Sequence, residues 1–85
     1  MPHYIVEYEY QEPLTDEKHN QEALRADPCL REHGVTWHGS WLATDRLRMV
    51  CDFEAEGAEQ IRDALRSAAV KFVRVWPAHR YLPKP

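Results

Sequence analysis

Four stretches with the period of a strand and two with the period of a helix follow one another as strand, helix, strand, strand, helix, strand. That order predicts an α+β domain of the ferredoxin-like type, βαββαβ, in which a four-stranded antiparallel sheet carries both helices on one face. At its centre is a hairpin with the clearest alternation in the chain, Val35-Thr36-Trp37-His38-Gly39-Ser40-Trp41-Leu42 followed by Arg48-Met49-Val50-Cys51-Asp52-Phe53-Glu54. Residues 1–85 make a single domain with a tail over 77–85. A chain this short buries only roughly 60 to 65% of the surface its unfolded form exposes, so a homodimer is expected as the remedy.

His3 to Tyr10 is rich in strand formers, and Tyr4, Val6, Tyr8 and Tyr10 alternate with His3, Ile5, Glu7 and Glu9. Thr15 or Asp16 can cap a helix whose first turn carries acids at 16 and 17, which suit the positive end of the helix dipole. Only Ala23, Leu24, Ala26 and Leu30 offer it a core stripe. Pro28 removes a hydrogen bond and crowds the preceding turn, so a kinked or broken helix is expected, with Asp27 as a new cap. It ends at His33, where Gly34 can take the left-handed position.

In the hairpin, a loop with an odd number of residues sets Trp37 opposite Phe53, Gly39 opposite Cys51 and Trp41 opposite Met49, separating an apolar face from a polar one. An even loop mixes the two faces, so the odd loop is expected. Gly57 opens a second helix with Ala58, Ile61, Leu65 and Ala68 on one stripe. Phe72 to Trp76 is a last strand stopped by Pro77.

A formal charge of -3 with no basic stripe argues against nucleic acid as a partner. Two cysteines without a C-x-x-C pair read as reduced thiols of a cytoplasmic protein. No signal-like segment follows Met1, and no apolar run is long enough for a membrane.

The expected polar face holds His38 with Glu7 and Asp52, a nitrogen and oxygen set suited to a divalent transition metal. Alternatively, the carboxylates orient the ring, or the histidine is a surface residue bonded to a carboxylate. On the other face Gly39 leaves a slot between Trp37 and Trp41, filled by a helix backbone or by a small aromatic ligand. Trp37, Trp41 and Ser40 are the expected ligand contacts. No organic cofactor motif is present. Cys51 reads as a small buried hydrophobe, not as a nucleophile.

The run Gly34-Val35-Thr36-Trp37 with Ser40-Trp41, then Asp45, Cys51, Phe53-Glu54-Ala55 and Glu59-Gln60-Ile61, resembles a family of small bacterial proteins classed as a domain of unknown function. Some of its members are nickel-binding or nickel-responsive. The resemblance implies a dimeric ferredoxin-like domain. A weaker similarity, carried by Trp37 and Trp41, is to muconolactone isomerase and its relatives among the dimeric alpha-beta barrel proteins, although the longer tail of those enzymes is missing. The first expectation is therefore a protein that binds a divalent transition metal, nickel or another, in a sequestering or sensing role without catalysis. The second is a cofactor-independent isomerase-like or monooxygenase-like enzyme for a hydrophobic metabolite, with Glu7, Asp52 or His38 as general base. A third is a structural or regulatory partner of another protein.

Overall fold

The computed structural model describes residues 1–84. Its elements are β1 (His3–Glu9), α1 (Asp16–Glu32), β2 (Thr36–Leu42), β3 (Arg48–Glu54), α2 (Ala58–Ser67) and β4 (Arg74–Ala78). The strands form one sheet in the order β2-β3-β1-β4, and β1/β3, β1/β4 and β2/β3 all pair antiparallel. This is the ferredoxin-like arrangement the element order predicts. The inward side chains of β1 and β3, namely Val6, Tyr8, Met49, Cys51 and Phe53, are buried against Leu30 of α1 and Ile61, Ala64 and Leu65 of α2. Full burial of side chains such as Val6, Ile61 and Leu65 contributes about 1.5–3 kcal/mol each.

The Thr15 hydroxyl accepts from the Lys18 amide at 3.1 Å, closing the first turn of α1. Gly34 takes φ 71 just past its end, the left-handed position that releases the chain into β2. Between these ends α1 is continuous, which corrects the expected break: Pro28 sits inside the helix and on its exposed side. Leu24 is also misassigned by the sequence pattern, since it is 77% exposed and not part of the core stripe. At the other end of the chain, β4 runs through Pro77 to Ala78. As an edge strand it has one side with no neighbour to bond, so a missing N–H is tolerated there.

The hairpin departs most from expectation. Pairing near its turn sets Leu42 opposite Met49 and Ser40 opposite Cys51, and the Ala43 amide donates to the Arg48 carbonyl at 2.8 Å. Residues 44–47 thus form an even, four-residue loop, with Arg46 in the left-handed region at φ 64. The Asp45 carboxylate accepts from the Leu47 amide at 3.0 Å and shapes the turn. Further along, a bulge between Trp37 and Gly39 restores the expected pair Trp37 and Phe53. Gly39 accommodates it with φ 156, a conformation rare for residues with a Cβ. The extra residue changes which side chains share a face.

Candidate metal centre

The helices leave one face of the sheet uncovered, and at the end where β1 starts and β3 finishes that face gathers its histidines. His3 is opposite Glu54 in the β1/β3 ladder, and the Ala55 amide donates to the Pro2 carbonyl at 3.1 Å, holding the start of β1 in register. His38 enters from β2 at the bulge, where it stays on the open face and donates through Nε2 to Glu54 Oε1 at 2.7 Å. His3 donates through Nδ1 to Asp52 Oδ1 at 2.7 Å. The two imidazole rings lie 5.0 Å apart, centroid to centroid. Ligand atoms of His3, His38 and Glu54 all fall within 4.8 Å of one another, the cluster of this kind among the described residues.

The carboxylates are kept ionised by their neighbours. Burial alone would raise Asp52, but hydrogen bonds from His3 and from Arg80, the latter at 2.6 Å, outweigh it and hold the carboxyl below the usual range. A hydrogen bond from His38, followed by the Met1 amine at 3.3 Å, holds Glu54 low as well. Both folded values lie below the unfolded ones of about 4, so the unfolded chain takes up protons first and stability is lost as pH falls through the folded values. The melting temperature of the metal-free protein is therefore expected to fall as pH drops from about 5 to about 3, and Asp52→Asn is expected to flatten that fall. Thermal unfolding followed by circular dichroism at a series of pH values checks it; identical curves for the two proteins would remove Asp52 from the balance.

Of the residues expected to hold a metal, His38 and Asp52 lie at this cluster and Glu7 does not. Glu7 accepts from the Trp76 indole at 2.6 Å and is paired with Arg74 at 3.7 Å, on the β4 side. It lies four positions beyond His3, about 13 Å along the strand. His3 and Glu54 were not singled out. For Glu54 the signal is its place two residues beyond Asp52 on the same face of β3, and for His3 it is the register of β1 and β3, which sets it opposite Glu54 across most of the chain in sequence.

The expected ligand slot between Trp37 and Trp41 does not form, because the bulge sends the two indoles to opposite faces. Trp37 stays on the helix side, donating to the Ser40 hydroxyl at 2.9 Å, and Ser40 in turn donates to Cys51 Sγ at 2.7 Å. Trp41 stands on the uncovered face, 82% exposed. Cys51 is buried, and that burial pushes its thiol up to about 11 despite hydrogen bonds from Ser40 and Tyr8. It is a protonated thiol at neutral pH and not a ready nucleophile.

A set of two imidazoles and a carboxylate fits a divalent transition metal by donor type. Bonds of about 2.0–2.2 Å place donors on one ion roughly 3–4 Å apart, so the observed cluster needs only a small side-chain adjustment. His3 spends Nδ1 on Asp52, which fixes the ring and leaves Nε2 as the nitrogen that could bind a metal.

The fold and the cluster together define a ferredoxin-like domain with an imidazole and carboxylate site on its uncovered sheet face. The chain belongs to the family described as nickel responsive protein SCO4226-like, whose model matches residues 4–77. His38, Asp52 and Glu54 fall within that span and His3 just outside it. SCO4226 from Streptomyces coelicolor A3(2), known from its crystal structure, superposes with a TM-score of 0.83 over 94% of this chain and 99% of that chain. Sequence identity is 14%, so this likeness shows the fold. No curated protein matches the chain in sequence. The family is the one the hairpin residues resemble, and the match does not extend to muconolactone isomerase.

Proposed function

We propose that the protein binds one divalent transition metal ion per chain, nickel(II) foremost, through His3, His38 and Glu54, in a sequestering or sensing role without catalysis. The observation that carries this reading is the convergence of three donor atoms from three strands within 4.8 Å. Asp52 acts on the site through His3, and a carboxylate in that position orients the ring and raises its basicity as a ligand. The description of the family as nickel responsive supports the choice of metal. Three protein donors leave coordination positions for water or for a second chain.

The uncovered face exposes Trp41, Val50 and Trp76, and large apolar side chains grouped on one face of a small domain are what a partner surface provides. We assign the homodimer interface to this face, beside the metal cluster. The cytoplasm remains the expected compartment; no helix among the described residues is long and apolar enough to cross a membrane.

Isothermal titration of metal-stripped protein with Ni(II), Zn(II) and Cu(II) tests the site. An integral stoichiometry is expected, with His3→Ala and His38→Ala each weakening Ni(II) at least about tenfold, Asp52→Asn weakening it about tenfold through loss of orientation, and Glu7→Ala leaving it unchanged. Non-integral binding that is indifferent to His38→Ala would sink the proposal, and mass measured by light scattering decides the dimer.

A further inference from the structure

On the other side of the sheet, a cavity of about 510 Å³ lies between α1 and the strands. Its origin is in the sequence. Where α1 crosses the sheet it offers Ala23 and Ala26, while the sheet below offers Cys51 as one of its smaller inward residues, so helix and sheet stand apart without side chains to fill the gap. The volume falls within the roughly 300–1,000 Å³ of small-molecule sites, and most of the wall is apolar, including Met49, Phe53, Leu65 and Val70.

The few polar groups are arranged by charge. No lysine or arginine lines the cavity, whereas Glu22, Asp27 and His19 do. Asp27 is neutralised by Arg31 at 2.7 Å, which leaves Glu22 without an ion-pair partner among the described residues. Glu22 is partly buried and lines the same cleft as the buried Tyr8. At the mouth, the Trp37 ring is fixed by its bond to Ser40 and lies 6.3 Å from the His19 ring, centroid to centroid. An aromatic wall, an apolar slot and one unpaired carboxylate are the elements that recognise an organic cation.

We propose that the cleft between α1 and the sheet binds a small aromatic molecule carrying a protonated amine, with its ring between Ala23 and Cys51 and its ammonium group on Glu22. An anionic ligand of the same shape is disfavoured, because burying a second negative charge beside Glu22 costs free energy and no lysine or arginine lines the cleft to offset it. The site is separate from the metal cluster, from which the thickness of the sheet divides it.

Two probes of matched shape and opposite charge, 2-phenylethylamine and 3-phenylpropanoate, titrated into the ¹⁵N-labelled protein, test this. The amine is expected to shift the Ala23, Ala26 and Cys51 amides and the Trp37 indole N–H saturably, leaving His38, Glu54 and Trp41 unmoved. The carboxylate should bind at least about tenfold more weakly, and Glu22→Gln should weaken the amine by about the same factor, as expected for loss of a charge-assisted hydrogen bond. Ala23→Leu, which fills the cavity, should abolish amine binding while Ni(II) binding persists. Equal affinity for the two probes, indifference to Glu22→Gln, or no saturable shift in the cleft would each overturn the proposal. Glu22 is only partly buried and makes no ion pair among the described residues, so its variant decides the matter even where Ala23→Leu disturbs folding.

Discussion

Nickel(II) at a hundredfold excess over its dissociation constant is expected to raise the melting temperature of the protein by about 10–20 °C. A ligand that binds only the folded state stabilises by about 2.7 kcal/mol at that excess. A domain of this size shifts by about 4–8 °C per kcal/mol. The folded state is the one that brings the donors together: His3 and His38 are 35 residues apart in sequence and meet only because β1 and β2 both flank β3. In the unfolded chain they are isolated imidazoles, and their weak binding subtracts little. The doubly substituted protein His3→Ala/His38→Ala should keep its fold, since both side chains are partly exposed, and should lose the shift. Differential scanning calorimetry with and without Ni(II) measures it. A shift of the same size in the double variant would place the metal elsewhere, with the scattered His19, His33 and His79 as the alternatives. The shift should shrink in acid, because donors must lose protons before they bind metal.

The elements that could be read from the chain are those where one periodicity decides the outcome. β1 and β3 alternate cleanly, and α2 places Ile61 and Leu65 on one side with Arg62 and Asp63 on the other, so the structure buries the residues the pattern selects. The hairpin was not fully legible, for a physical reason. Its alternation favours the register that pairs Trp37 with Phe53, but the pairing near the turn is one residue out of step with it, and a single bulged residue moves Ser40 and Leu42 inward and Trp41 outward. Gly39 was read as a gap between two indoles, whereas it supplies the backbone freedom for the bulge. Part of the candidate site followed from face assignment, since His38 and Asp52 share the open face in the expected register and the bulge after Trp37 keeps them together there. Glu54 shares the face of Asp52 by alternation within β3, but that it and His3 meet required the β1/β3 pairing, which pattern within a strand does not contain. Glu7 lies on the correct face at the wrong height, and height along a sheet is set by register.

Pro28→Ala is expected to stabilise the protein by roughly 2 kcal/mol, raising the melting temperature by about 8–16 °C. In a helix interior proline costs about 3 kcal/mol relative to alanine, through the missing N–H and the clash with the carbonyl one turn earlier. Freeing the unfolded chain from the proline ring returns about 0.4–1 kcal/mol of that. The helix survives the proline because the damage faces water: Leu24, four residues earlier, is 77% exposed, so its carbonyl can be hydrated. Beyond Pro28 the last turn is held by several bonds at once. Buried Leu30 anchors it in the core, its carbonyl accepts from Val35 at 2.9 Å, and the Cys29 carbonyl accepts from His33 Nδ1 at 2.8 Å. Pro28→Gly should give little of the gain, since glycine is itself about 1 kcal/mol worse than alanine in a helix. An unchanged or lowered melting temperature for Pro28→Ala would mean that the proline serves the packing of α1. The same helix forms the roof over the cavity, so weaker 2-phenylethylamine binding in that variant would then mean that Pro28 holds Ala23 and Ala26 at the height the ligand requires.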